Sequence, residues 1–120
     1  MLEKADVMIQ PFRDEVLTEG EYSLIFINRK YSHAILKHPD KDDFRSIPEF
    51  GGSEEKILPD EKIINQAGNI LQKIDSPLLY ARVDGVNCKG EFQLMELELI
   101  EPHLSFDQDP KSPGRFARAI

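Results

Sequence analysis

Residues 80–100 read YARVDGVNCKGEFQLMELELI, and this stretch decides how the fold of the chain is interpreted. Leu78–Val86 and Glu91–Ile100 are rich in residues that favour β-strands, and the polar segment 87–90, which ends in Gly90, separates them. Two strands joined by so short a turn form an antiparallel hairpin. The hairpin is therefore the starting point for the rest of the chain.

Side-chain alternation divides this hairpin into an apolar face and a polar face. On the second strand, residues 93, 95, 97 and 99 are mostly apolar and are expected to face the core, whereas residues 92, 94, 96 and 98 point the other way. Arg82 and Asp84 share the corresponding face of the first strand. Asp84, Glu96 and Glu98 are therefore predicted to lie close together, with Arg82 among them.

Clustered carboxylates repel one another unless a positive charge neutralises them. A hard divalent cation such as Mg²⁺ prefers oxygen ligands and often shares them with substrate phosphates, so Asp84, Glu96 and Glu98 are candidate metal ligands. The same three residues also fit a solvated strand face on which Arg82 is the local counter-charge. The geometry of the hairpin alone leaves both interpretations open.

The segments around this hairpin predict a small α+β domain. Glu21–Ile27 and Tyr31–Lys37 form a second pair of strands around a polar break at residues 28–30. Residues 39–59 are a long polar segment, and a helix begins after Pro59 with an apolar stripe that runs to Ile74. Arg115–Ile120 is the start of another helix. This order indicates an antiparallel sheet with helices packed on one face.

The composition limits the size, partners and compartment of the protein. The chain has 120 residues, 40% of them hydrophobic, so a single domain over residues 1–120 is expected. A formal net charge of −7 argues against nucleic acid and anionic membranes as partners, and no apolar run is long enough to span a bilayer. Cys88 is the only cysteine, which excludes a disulfide framework and fits a reducing cytoplasm.

The hairpin motifs resemble the metal-binding end of the ATP-grasp ligase superfamily. In those enzymes an Asp on one strand and Glu-x-Asn on the next hold Mg²⁺ against the phosphates of ATP. Tyr80–Gly85 and Leu94–Pro102 are similar to these two strands, with Glu98 at the position of the Asn. The resemblance implies that ATP and Mg²⁺ are the cofactors and that Asp84, Glu96 and Glu98 are the metal ligands.

Earlier segments resemble the nucleotide-binding parts of the same superfamily, and most closely those of glutathione-synthetase-like enzymes. Val7–Phe12 is similar to the hinge strand that receives adenine, and Gly20–Leu24 is similar to the next strand, whose acidic residue meets the ribose. Residues 37–52 are similar to a basic loop that approaches the phosphates. The implied nucleotide-binding residues are Gln10, Pro11, Phe12, Glu21, Gly51 and Gly52, and the implied catalytic residues are Lys37, Arg45 and Arg82.

The resemblance implies an ATP-dependent ligase that joins a small carboxylate to an amine, or a related nucleophile, through an acyl phosphate. It also implies that residues 1–120 are the C-terminal ATP-grasp subdomain, without the upstream subdomain and the N-terminal domain. We therefore expect the 120 residues alone to be inactive and to self-associate through an exposed apolar patch. The alternative is a non-catalytic acidic binding module derived from such a domain, if Glu98 in place of Asn abolishes nucleotide binding.

Overall fold

A computed structural model describes residues 9, 11, 13–15, 19–38 and 53–120 of the chain. Its strands pair antiparallel in the order β3-β2-β1-β4-β5. The elements, in chain order, are β1 (Glu21–Ile27), β2 (Lys30–His38), β3 (Ser53–Ile57), α1 (Glu61–Leu71), β4 (Tyr80–Cys88), β5 (Glu91–Glu98), a 3₁₀ turn (Phe106–Gln108) and α2 (Ser112–Ala119). The predicted α+β class with an antiparallel sheet is confirmed.

The two faces of the sheet have separate apolar cores. On one face α1 buries its apolar stripe against β1, β2 and β4, in a core formed by Leu24, Phe26, Ala34, Ile63, Ala67, Leu71, Ala81 and Val83. On the other face Ile25, Ile27 and Ile35 pack against the C-terminal segment, including Phe116 and Ala119 of α2. The C-terminal helix therefore covers the face opposite α1, whereas the order of elements in the sequence predicted both helices on one face.

The β1–β2 hairpin turns without glycine. Asn28 and Arg29 both have positive φ angles, 52° and 66°, which is the conformation that a two-residue turn of the right twist requires. Asn adopts this conformation readily, and Arg29 is held in it by its side chain. The Arg29 guanidinium donates hydrogen bonds to the carbonyls of Leu71 (2.8 Å), Ile74 (2.7 Å) and Ser76, at and just beyond the end of α1.

Replacement of Arg29 with alanine should lower the free energy of unfolding by about 1–2 kcal/mol, because three carbonyls at the end of α1 lose a charged donor. Urea denaturation measures the loss. Lys30→Ala is the matched control, since Lys30 is an exposed cation at the next position. An equal loss in both variants would show that the hydrogen bonds of Arg29 contribute nothing specific.

The bounds of several elements also differ from the sequence prediction. The polar segment 39–59 contains an edge strand, β3, which the pattern missed because Glu54, Glu55 and Lys56 follow no apolar alternation. The helix α1 ends at Leu71 rather than near Ile74, and α2 begins at Ser112 rather than Arg115. Element boundaries of this kind depend on packing that local sequence does not encode.

A β-bulge reverses the alternation in the second hairpin. Asp84 pairs with Glu96 but Gly85 pairs with Leu94, so that Met95 is an extra residue on β5. Phe92 consequently packs against the core on the α1 face, and the expectation that it shares a face with Glu96 is wrong. Gly85 makes the bulge possible, because a Cβ atom there would collide with the Phe92 ring and the Gln93 carbonyl.

Candidate functional site

The candidate site lies on the sheet face opposite α1, at the end where β1 begins. Because Leu24 and Val83 belong to the core beneath α1, their strand neighbours point to the opposite face. Ser23 on β1 is paired with Asp84 on β4, and Asp84 is paired with Glu96 on β5. The polar side chains that share this face are Glu21, Ser23, Lys37, Arg82, Asp84, Glu96 and Glu98.

Arg82 and Asp84 form the central ion pair of this face. The Asp84 side chain is 2% exposed and that of Arg82 is 15% exposed. Arg82 Nε donates to Asp84 Oδ1 (3.0 Å) and Oδ2 (3.1 Å), and Arg82 Nη2 donates to Oδ2 (2.9 Å). Arg82 Nη2 also lies 3.7 Å from Glu96 Oε2. One guanidinium therefore neutralises two of the three clustered carboxylates.

Glu21 and Lys37 extend the charged face onto β1 and β2, where they are directly paired across the strands. Burial and then the nearby Asp84 carboxylate raise the pKa of Glu21 to about 7, while Lys37 and Arg82 act in the opposite direction. Burial lowers the pKa of Arg82. The charge of Asp84 and the hydrogen bonds between Arg82 and Asp84 act in the opposite direction, so that the pKa of Arg82 is raised overall. These five groups, Glu96 included, therefore act on one another as a single electrostatic unit.

Ser23 lies at the centre of this unit and was missed by the sequence analysis. Ser23 is 1% exposed, and its hydroxyl has no hydrogen-bond partner among the described residues. A buried hydroxyl without a partner carries a free-energy cost of about 1–3 kcal/mol. Alternation along β1 places Ser23 on the same face as Glu21, so this signal was present in the sequence.

Comparisons with known proteins identify the fold around this site. Over 125 residues the chain is 29% identical to the cycloserine biosynthesis protein DcsG of Streptomyces lavendulae, with 95% of this chain and 41% of DcsG covered. The crystal structure of the D-cycloserine synthetase DcsG matches 92% of this chain at a TM-score of 0.72 and 30% identity. The ATP-grasp ligase PsnB, solved with Mg and ADP, matches 83% of the chain at a TM-score of 0.56 and 18% identity.

The chain has the fold of DcsG and of the ATP-grasp ligase PsnB. The D-alanine–D-alanine ligase of Bacillus anthracis, solved with ATP, has the same fold, with a TM-score of 0.58, 16% identity and coverage of 83% of this chain. No family model matches the sequence. The chain spans about 40% of the length of DcsG.

Glu98 is held differently from the other two candidate metal ligands, Asp84 and Glu96. It lies across from Arg82 on the same face, and its Oε1 accepts hydrogen bonds from the backbone N–H groups of Ile100 (2.9 Å) and Glu101 (3.2 Å). These bonds lower the pKa of Glu98. Within the described ranges, no three acidic, His or Cys side chains are arranged to hold a metal ion. The metal assignment stays a prediction.

The remaining sequence predictions divide between described and undescribed parts of the chain. Pro11 is exposed and lies outside the helices and strands. Gln10, Phe12, Arg45, Gly51 and Gly52 lie outside the described residues. In the part of the chain that the structure describes, no helix is long and apolar enough to cross a membrane.

Proposed function

We propose that this chain is the C-terminal, ATP- and Mg²⁺-binding part of an ATP-dependent carboxylate–amine ligase. The single observation that supports it most strongly is the charged unit of Glu21, Lys37, Arg82, Asp84 and Glu96 on one sheet face of an ATP-grasp fold. The solved ligases that share this fold include complexes with ATP and with Mg and ADP.

The donor set of this face fits a magnesium–nucleotide site. Asp84 and Glu96, directly paired across β4 and β5, supply carboxylate oxygens, which Mg²⁺ prefers, and Glu98 follows on the same face. When bound, the metal would neutralise phosphate charge and polarise the transferred phosphoryl group. Lys37 and Arg82 supply positive charge on the same face, and Glu21 at the start of β1 is proposed to meet the ribose.

The remaining assignments complete the proposal. Arg45, Gly51 and Gly52 would contact the phosphates, and residues 10–12 would receive the adenine. Arginine suits the phosphate role because its planar guanidinium makes paired hydrogen bonds to phosphate oxygens. We propose cytoplasmic localisation, which agrees with the single cysteine.

The proposed reaction has two steps, neither of which needs a covalent bond to the enzyme. An oxygen of the substrate carboxylate attacks the γ-phosphorus of ATP, and ADP leaves, which forms an acyl phosphate. The lone pair of the amine then attacks the acyl carbon, inorganic phosphate leaves, and the amine loses a proton as the amide forms. The chain's own residues contribute positioning and charge stabilisation, which suits a site of ionic rather than nucleophilic side chains.

A second candidate function is a non-catalytic acidic module, and one observation favours it. Arg82 engages both oxygens of Asp84, while an oxygen of Glu98 accepts two backbone N–H groups. These contacts satisfy the carboxylates without any ligand. Nucleotide binding by the intact protein distinguishes the two functions.

Asp84→Asn should weaken Mg²⁺-dependent ATP binding by the intact protein by about tenfold or more, because one negative ligand oxygen is lost while the side-chain shape is kept. Glu96→Gln should have a similar effect. Isothermal titration calorimetry with ATP, with and without Mg²⁺, measures it. Glu61→Gln on α1, on the opposite side of the sheet, is the control.

Two results would decide against the ligase proposal. One is the absence of Mg²⁺–ATP binding by the unsubstituted intact protein, which would favour the acidic module. The other is equal affinity in Asp84→Asn, Glu96→Gln and the Glu61→Gln control, with circular dichroism showing that all three are folded. The second result would place nucleotide binding away from this face.

A further inference from the structure

A cavity with both charged and apolar lining residues lies at the opposite end of the strands from the candidate nucleotide site. It has a volume of about 620 Å³ and opens between the β2–β3 edge and the segment before α2. Tyr31 lies in its wall, six residues along β2 from Lys37, which corresponds to roughly 20 Å of strand. The cavity is formed entirely by described residues and shares no lining residue with the charged unit around Asp84.

The wall of this cavity is positively charged. Lys56, Lys111 and Arg115 face it, and Asp109 is the one carboxylate among the lining residues. The Asp109 carboxylate already has partners within the protein. Its Oδ2 lies 2.7 Å from Arg115 Nη1, and its Oδ1 lies 3.5 Å from Lys56 Nζ and accepts a hydrogen bond from the Lys111 backbone N–H at 3.1 Å. The hydrogen bond from Arg115 lowers the pKa of Asp109 to about 2. Asp109 therefore stays ionised, and two positive charges remain uncompensated within the lining.

A smaller cavity continues the positive surface around Arg115. It shares Tyr31, Ser32 and Arg115 with the first cavity and adds Lys30 and Arg118. The chain as a whole carries a net charge of −7, so a groove lined by five cations is not a consequence of composition. Concave surfaces of one charge concentrate ligands of the opposite charge.

The polar groups of the cavity are held in place before any ligand arrives. Arg115 Nη1 donates to Ser32 Oγ at 3.1 Å, and Ser32 Oγ also lies 2.8 Å from His33 Nδ1. His33 is 2% exposed, and its Nε2 lies 2.7 Å from the Leu104 carbonyl oxygen. Within the described part of the chain, every hydrogen bond of the Arg115 side chain uses Nη1, so its other donors are available.

Apolar side chains complete the cavity. Ile57, Leu58 and Pro110 lie beside the cationic groups, and Leu58 is 79% exposed. Ligand sites of this volume typically combine apolar walls with a few polar groups that fix orientation. We propose that this cavity binds a small organic phosphate monoester, with the phosphate against Lys56, Lys111 and Arg115 and the apolar body against Ile57 and Leu58. A phosphate dianion matches the two uncompensated charges.

Nuclear magnetic resonance titration of the intact protein with phenyl phosphate tests this site. The backbone amide signals of Tyr31, Ile57 and Lys111 should shift with saturation, and benzoate, which carries one charge, should bind more weakly. The double variant Lys56→Ala/Lys111→Ala should reduce the affinity for phenyl phosphate by about tenfold. Lys73→Ala, an exposed lysine beyond the end of α1, is the matched control and should bind as the parent does.

Four outcomes would overturn the proposal. The first is the absence of a saturable shift at these amides up to about 10 mM phenyl phosphate, because a dissociation constant above that concentration would mean that the cavity has no useful affinity for the ligand. The second is binding of benzoate as tightly as phenyl phosphate. The third is an equal loss of affinity in the double variant and in Lys73→Ala. Shifts confined to Glu21 and Asp84 would also contradict it, because they would place the ligand on the nucleotide face.

Discussion

Arg82→Ala should lower the free energy of unfolding by about 3–5 kcal/mol, the largest loss expected from a single charged residue in the described structure. The substitution leaves Asp84 as a carboxylate that is 2% exposed and has lost all three of its hydrogen bonds from Arg82. Glu96 and Glu21, on the same face, then repel it, and Lys37 is the one cation left in the charged unit. Urea denaturation in metal-free buffer measures the loss.

A double variant distinguishes the contribution of the ion pair to stability from the contribution of side-chain volume. Arg82→Leu/Asp84→Leu removes both charges and should be more stable than Arg82→Leu alone, because no buried charge is left unpaired. A loss below about 1 kcal/mol in Arg82→Ala would show that Asp84 is reached by water and that the pair behaves as a surface salt bridge. Circular dichroism of each variant shows whether the sheet is retained.

Glu21→Gln should change the pH dependence of stability. The pKa of Glu21 is about 7 in the folded protein, against an ordinary value of 4.5, chiefly because the side chain is buried and secondly because Asp84 is negative. The folded state therefore binds a proton more tightly than the unfolded state. The stability that Glu21 contributes is complete below about pH 4.5 and is lost as the pH rises through about 7.

The expected size of this effect is about 3 kcal/mol between the two ends of that window, from the difference of the two pKa values. Glutamine keeps the shape of the protonated acid and does not ionise, so Glu21→Gln should be more stable than the parent at about pH 8 and similar to it at about pH 5. Urea denaturation at both pH values measures the difference. In the control Glu61→Gln, the difference in the free energy of unfolding between the two pH values should be the same as in the parent.

An unchanged pH dependence in Glu21→Gln would contradict the raised pKa. It would also indicate that the charge of Lys37 offsets both the burial of Glu21 and the charge of Asp84. Since Mg²⁺ would alter the charge of this face, the measurement belongs in buffer that contains a chelator.

Much of the fold and part of the candidate site follow from local sequence patterns. Strand-forming residues at 21–27, 31–37, 78–86 and 91–100, separated by short polar breaks, predicted the two hairpins, because strand propensity and turn residues are local properties of the sequence. Side-chain alternation in the second hairpin put Asp84, Glu96 and Arg82 on one face, and the structure pairs Asp84 with Glu96. The order of motifs along the chain predicted an ATP-grasp fold, which the structural likeness to DcsG, to the ATP-grasp ligase PsnB and to the D-alanine–D-alanine ligase confirms.

Other features depended on contacts between distant residues. The bulge at Met95 turned Phe92 towards α1, because burying that ring on the apolar core outweighs regular pairing. Asp109 in its loop and Arg115 in α2 belong to no distinctive sequence pattern. They line a cavity together only because the C-terminal segment packs beside β2 and β3. The sequence contains no local signal for either arrangement.

The sequence by itself determined which residues share a face within each strand, and only the tertiary structure decided which strands are neighbours. Pairing of β1 with both β2 and β4 brings Glu21 and Lys37 to Asp84, although more than 40 residues separate Lys37 from Asp84 along the chain. Strand order is decided by burial of the two apolar faces under α1 and the C-terminal segment. The pKa of Glu21 follows from that burial, because desolvation and a neighbouring charge exist only after the strands have come together.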